Sequence, residues 1–286
     1  EVIVKLEWSD FRLDLDRKTH VMGVLNITPD SFSDGGLHFD RDKAVAHALR
    51  LVEDGADILD IGGESTRPGS DPVPLEEELR RTIPVIQAVA KEIRVPISID
   101  TYKSEVARRA LDAGASMVND ISGLRFDPEM PKVVSEYKVP VLIMHIKGTP
   151  GDMQQNPVYE ALIPEVMDYL RIGARLASNF GIPGDMVIID PGIGFGKTFS
   201  HNLEIIRNLR EFTLLGNPVA IGVSRKAFLG KVLGNAPAQE RLEGTASAVA
   251  ISIFNGAHIV RVHDVKEMAK VARVADAIKN GIEFQT

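Results

Sequence analysis

The chain contains no cysteine and a single tryptophan in 286 residues. Without thiols there can be no disulfide, no thiolate nucleophile and no cysteine-bound zinc. Any chemistry must therefore rest on carboxylates, amides, His, Lys and Arg. Long apolar runs are also missing: none reaches the roughly 18 residues of a membrane-crossing helix. The opening Glu1-Val2-Ile3-Val4-Lys5 lacks the charged-then-apolar layout of a signal peptide, and a cytoplasmic location is the expectation. Positive charge is in deficit, with 33 basic against 40 acidic residues and a net charge of −7. Broad attraction to nucleic acid or to an anionic membrane is not expected, so an anionic ligand would need a local basic pocket.

What the chain does contain is a repeat of short apolar, β-branched runs, each ending in a residue capable of polar chemistry. The runs are Val21–Ile27 around Asn26, Asp57–Gly63 before Glu64, Val95–Ile99 before Asp100 and Ala115–Val118 before Asn119. They continue with Val139–Met144 before His145, Met186–Ile189 before Asp190, Pro218–Val223 before Ser224 and Lys226, and His258–Val262 around Arg261 and His263. Stretches with helical spacing lie between them. Parallel strands need a covering helix to cross back, so the alternation predicts a parallel sheet. Eight units predict an α/β fold, a single (β/α)8 TIM barrel whose functional face lies at the strand ends. Residues 1–19 fall outside the repeat. Alternation in Val2-Ile3-Val4 and in Phe11–Leu15 reads as an N-terminal β-hairpin extension plugging the barrel bottom, with the barrel over 20–286. No linker or charge block divides the chain. Helices are expected over 41–54 and about 157–180. The stretch Ala238–Asn255, rich in Ala, Ile and Val, reads either as packing on the barrel or as a subunit interface.

Two connections are long for βα loops and follow the first two strands: Thr28–Gly36 and Gly63–Pro74. Both carry charges, hydroxyls and hinge-type Gly or Pro, which fits either variable surface loops or lids. On the last strand, Arg261 and His263 are two apart and face one space, an anion seat or a satisfied core pair. Asn26 opens into the same mouth, where its amide oxygen could ligate a hard cation or simply cap a loop. Asp100, Asn119, Asp190 and Lys226 form a second group, suited to the edge of a planar heterocycle with ring N–H, amino and carbonyl groups. Pro191-Gly192-Ile193-Gly194-Phe195-Gly196-Lys197-Thr198 nearly matches a phosphate loop, but Pro191 replaces its first glycine. The run reads better as a tight turn exposing Phe195 at the rim. His145 alone is a weak metal signal.

The blocks resemble those of the dihydropteroate synthase family. Met22-Gly23-Val24-Leu25-Asn26-Ile27-Thr28-Pro29-Asp30-Ser31-Phe32-Ser33-Asp34-Gly35-Gly36 is similar to its first signature, and Asp60-Ile61-Gly62-Gly63-Glu64-Ser65-Thr66-Arg67-Pro68-Gly69 to its second. The likeness continues in order through Ser98–Thr101, Asn119–Gly123, Met144–Pro150, Asp190–Lys197, Ser224–Lys226 and Arg261–Asp264, with Ile146 a minor departure where the family often has Met.

The resemblance implies condensation of 6-hydroxymethyl-7,8-dihydropterin diphosphate with 4-aminobenzoate, giving 7,8-dihydropteroate and pyrophosphate. It implies that Asp100, Asn119, Asp190 and Lys226 hold the pterin, and that Asn26 meets a Mg2+ on the diphosphate. Thr66, Arg261 and His263 would face the diphosphate itself. Thr66, Arg67, Pro68, Phe195, Ser224 and Lys226 would shape the 4-aminobenzoate site, with Asp34 and Arg67 brought in by loop closure. Asp100, Asp34, Arg67 and Lys226 are the expected catalytic set. Because the aromatic amine is a weak nucleophile, an SN1-like route is expected, with pyrophosphate leaving before the amine attacks. A homodimer is implied, with small-molecule substrates only. A pterin-dependent methyltransferase shares the pterin grip but has no use for an anion seat, and a non-catalytic pterin-binding paralogue would lack pyrophosphate release.

Overall fold

Strands buried on both faces need near-continuous apolar runs, and six of the inner strands are buried at every residue: Ile58–Gly62, Ile97–Asp100, Met117–Asp120, Val141–Met144, Val187–Asp190 and Ala220–Ile221. The computed structural model describes residues 5–28 and 37–281. Within them an antiparallel pair, β1 (Lys5–Trp8) and β2 (Phe11–Asp14), precedes the parallel sheet. That sheet comprises β3 (His20–Asn26), β4 (Ile58–Gly62), β5 (Ile97–Asp100), β6 (Met117–Asp120), β7 (Val141–Met144), β8 (Val187–Asp190), β9 (Ala220–Ile221) and β10 (Ile259–Val262). The order is β8-β7-β6-β5-β4-β3-β10-β9, and a parallel bridge between Ile189 and Val219 brings β8 and β9 together to close the barrel.

The covering helices are α1 (Leu37–Glu53), α2 (Leu75–Val89), α3 (Ser104–Asp112), α4 (Met130–Tyr137), α5 (Leu162–Asn179), α6 (Phe199–Arg207), α7 (Leu209–Phe212), α8 (Ala227–Val232), α9 (Leu242–Phe254) and α10 (Val265–Asn280). No described helix is long and apolar enough to cross a membrane. Pro84 lies inside α2 without dividing it. The expected helix over 157–180 begins later, at Leu162, and the stretch from Ala238 opens as a 3-10 turn before α9. The seventh strand keeps only two residues: Pro218 has no N–H to give, and the Val219 N–H turns to His258 Nδ1 at 3.0 Å.

The hairpin's first strand is Lys5–Trp8; residues 2–4 lie outside the described residues. Its Leu6, Trp8, Leu13 and Leu15 join the same apolar core as the barrel. The Trp8 indole N–H donates to Ser116 O at 2.8 Å, at the start of β6. The hairpin therefore sits at the strand-start end, opposite the face where polar residues gather.

Candidate active site

Strand register sets a polar row across the mouth. Asn26 pairs with Gly62, Gly62 with Asp100, and Asp100 with Asn119. Gly62 is the gap in that row. A Cβ there would meet Asp100 Cβ at 3.3 Å and a carboxylate oxygen at 3.6 Å, so glycine leaves room for the Asp100 side chain.

Behind the row lies a cavity lined by Thr66, Asp100, Asn119, Asp190, Phe195, Ser224, Lys226, Arg261 and His263, with Ile121, Met144 and Ile193 as apolar walls. The structure thus brings together nine of the residues singled out from sequence. Asn26 and Arg67 border a second, adjoining cavity, which His263 also lines. Pro68 is exposed beside Arg67 and borders neither. Asp34 lies outside the described residues.

Sequence reasoning missed Asp60, which is fully buried in the middle of β4. Its Oδ2 accepts from Asn119 Nδ2 at 3.1 Å and from Arg261 Nε at 2.7 Å, while Arg261 Nη2 donates to Asp100 Oδ2 at 2.8 Å. The guanidinium is therefore a fork between two carboxylates on β4 and β5. Asp60 was discoverable: it lies two residues before Gly62, on the same strand face. His263, by contrast, contacts Ser224 Oγ at 3.0 Å through Nδ1. Burial, reinforced by Arg261, lowers His263 to about 3, so it is neutral at pH 7.

Three buried carboxyl groups, Asp60, Asp100 and Asp190, face two cations, Arg261 and Lys226. Burial pushes Asp100 up to about 7, against the pull of Arg261 and with Asp60 adding to the rise. Burial likewise raises Asp190 to about 6, although Gly192 N–H donates to its Oδ1 at 2.7 Å. Burial brings Lys226 down to about 8, with Arg261 adding to the fall. Asp60 Oδ1 and Asp100 Oδ1 are buried and accept no hydrogen bond among the described residues. Unsatisfied buried acceptors are costly, and Asp100, which lines the cavity, has its oxygen placed for a donor, or for positive charge, on a ligand.

The glycine-rich turn after β8 folds back instead of projecting. Gly192 has φ +72, and a Cβ there would lie 1.9 Å from His145 O, so only glycine passes that point. Phe195, expected at the exposed rim, is 8% exposed and buried as a cavity wall. Lys226 Nζ stands 4.5 Å from the centre of its ring. Lys197 is fully buried and donates to Phe195 O at 3.0 Å and to His145 Nδ1 at 2.8 Å, holding the turn from below. Among the described residues, no group of three His, Asp or Glu could hold a metal ion.

The second long loop is closed by one carboxylate. Glu64 accepts from Val73 N at 3.0 Å and from Tyr102 OH at 2.7 Å, and it pairs with Lys103, which also pairs with buried Glu78. The segment carrying Thr66, Arg67 and Pro68 is thereby tied at both ends to the barrel.

Comparison with known proteins places this geometry. The family model for "Pterin binding enzyme" matches residues 22–263. The dihydropteroate synthase of Synechocystis sp. is 49% identical, over 93% of this chain and 92% of that protein. That of Bacillus subtilis is 47% identical, over 94% and 91%. Among solved structures, Xanthomonas albilineans dihydropteroate synthase with 4-aminobenzoic acid superposes with a TM-score of 0.91 at 42% identity, covering 99% of this chain and 100% of that one. The Yersinia pestis enzyme in a sulfonamide drug complex gives 0.91 at 38% identity, covering 97% and 100%.

Proposed function

The chain belongs to the dihydropteroate synthase family, and we propose that it condenses 6-hydroxymethyl-7,8-dihydropterin diphosphate with 4-aminobenzoate to give 7,8-dihydropteroate and pyrophosphate. The observation carrying this reading is the strand-end cavity in which the orphan carboxylate oxygen of Asp100 converges with Asn119, Asp190 and Lys226. Asp100, Asn119, Asp190 and Lys226 hold the pterin edge. Thr66, Phe195 and Ser224, with Arg67 and Pro68 from the loop, shape the 4-aminobenzoate site. Pyrophosphate release on mixing the purified protein with both substrates is the test, and its absence overturns the reading.

The electrostatics favour an SN1-like course. As the C–O bond breaks, positive charge grows on the pterin methylene, and the buried Asp100 carboxylate offsets it. The amine then captures that carbon and loses its proton. An acceptor of this kind typically contributes on the order of 3–4 kcal/mol to such a barrier. Asn26 offers an amide oxygen at the mouth. Asn26 would be the residue to hold a Mg2+ entering on the diphosphate, and the ion would supply charge neutralisation for the leaving group.

The same reading includes a cytoplasmic homodimer. Ile251 and Phe254 of α9 are each 52% exposed, and Val274 and Ile278 of the adjoining α10 are 60% and 70% exposed, which supports a self-complementary apolar interface.

Two expectations follow for the reaction. If ionised Asp100 and protonated Lys226 are the working forms, kcat/KM for the pterin diphosphate should rise with pH through about 7 and fall through about 8. Lys226→Arg should move the alkaline limb upward, and a flat profile across that range would reject the assignment. Glu64 is a positioning residue for the loop. Glu64→Gln removes the charge that pairs with Lys103 and turns an NH2 to the Tyr102 hydroxyl, and it should raise the KM for 4-aminobenzoate by about five- to tenfold, leaving pterin affinity within about twofold. Equal losses for both substrates would mean only general damage.

A further inference from the structure

The connection from β7 to α5, residues 145–161, lines neither cavity, yet it grips both halves of the proposed 4-aminobenzoate site. On one side lies the turn that carries Phe195. Its three successive carbonyls are each held by a different donor: Gly194 O by Gln154 Nε2 at 2.8 Å, Phe195 O by Lys197 Nζ at 3.0 Å and Gly196 O by the Tyr159 hydroxyl at 2.6 Å. Two of those donors, Gln154 and Tyr159, belong to the connection. Gly196 lets the two segments pack this closely: it has φ +65, and a Cβ there would stand 2.5 Å from Lys147 O. On the other side lies the second long loop, whose Gly69 N–H, one residue beyond Pro68, donates to Pro150 O at 2.9 Å.

A short closed turn joins the two grips. Asp152 Oδ1 accepts from Thr149 N at 2.6 Å and from Thr149 Oγ1 at 2.8 Å, and Met153 N donates to Thr149 O at 2.7 Å, so Pro150 and Gln154 ride on one piece. Lys147 closes the stem by donating to Val158 O, and its ammonium lies 4.2 Å from the centre of the Tyr159 ring. Segments tied through such a contiguous hydrogen-bonded piece are coupled: loosening one end is felt at the other. We infer that this connection is a yoke, in which Gln154 and Tyr159 are positioning residues that fix the gap between Phe195 and the Thr66–Pro68 segment and so set the fit of the 4-aminobenzoate ring without touching it. Thr66 and Phe195 both line the strand-end cavity, which makes them the two walls. The inference rests on the functional reading above, because it needs an aromatic substrate between those walls. A misplacement of about 1 Å can cost about a hundredfold in rate, so a loop remote from the reacting atoms has a large effect.

The test combines steady-state kinetics with amide hydrogen exchange on the full chain. Gln154 is exposed, so its variants leave the core untouched. Gln154→Glu keeps the shape but sets a carboxylate against Gly194 O, and Tyr159→Phe removes only the hydroxyl that holds Gly196 O. Each should raise the KM for 4-aminobenzoate by about three- to fivefold, and the double variant by about tenfold or more. The KM for the pterin diphosphate should stay within about twofold throughout, and Gln154→Lys, which restores a donor, should bring the KM for 4-aminobenzoate back to within about twofold of wild type. In the double variant, amides of both 192–197 and 66–70 should exchange about fivefold faster than in wild type. Unchanged exchange at 66–70 would overturn the yoke, whether or not 192–197 speeds up, since a purely local role moves that turn alone. So would an unchanged KM for 4-aminobenzoate in the double variant, or equal losses for both substrates. The exchange measurement needs no turnover. Failure of the wild type to release pyrophosphate from its substrates would overturn the functional reading and leave the exchange result standing.

Discussion

Asp190→Asn should weaken binding of the unphosphorylated pterin by about a hundredfold. Gly192 N–H donates to Asp190 Oδ1 at 2.7 Å and so fixes which way a replacement amide turns. The amide oxygen must keep facing Gly192, which leaves the new NH2 pointing into the cavity. There it meets the ring N–H groups that the carboxylate is proposed to accept, donor against donor. Losing a charge-assisted hydrogen bond and burying an unmet donor costs about 3 kcal/mol together, or about two orders of magnitude in affinity. Calorimetry with a pterin lacking the diphosphate isolates this contact. Affinity within about threefold of wild type would remove Asp190 as the reader of the ring.

The same residues show how far the sequence carried the reading. A barrel sends strand ends to one face, so Asp100, Asn119, Asp190, Lys226 and His263 could be collected from run boundaries alone, and the structure does place them around one cavity. Asp60 escaped that rule because it sits inside an apolar run, where a carboxylate interrupts the pattern without ending the strand. For its partner Arg261 the position was legible and the reach was not. Period two says that Arg261 and His263 face one space, but not that the guanidinium reaches across the barrel to β4 and β5. Side-chain reach depends on barrel closure, which spacing does not encode. Phe195 was placed at the rim because a glycine-rich turn implies exposure. Lys197 reverses this by drawing the turn inward through a carbonyl, a contact between two positions of the same loop.

Arg261→Ala should destabilise the fold and should lower affinity for pterin with and without its diphosphate. Read from sequence alone, this arginine binds the diphosphate, and its loss would touch only the phosphorylated ligand. In the structure it compensates two buried carboxylates, Asp60 at 0% and Asp100 at 8% side-chain exposure. Removing one member of such a group leaves uncompensated buried charge, at a cost of about 3–5 kcal/mol. The cost depends on pH, and its sign follows from linkage. Without the guanidinium, the folded-state Asp100 carboxyl rises further above its unfolded value, from a starting point of about 7. The folded variant then binds more protons than the unfolded chain, so its stability falls as pH rises. The stability gap to wild type should therefore be modest near pH 5.5 and widest above about pH 8. Denaturant titrations at the two ends of that range measure it directly. Asp60→Asn introduced into Arg261→Ala removes one of the stranded charges and should recover much of the loss at high pH. A stability gap that does not change with pH, together with binding losses confined to the diphosphate-bearing pterin, would return Arg261 to the role of a simple anion seat.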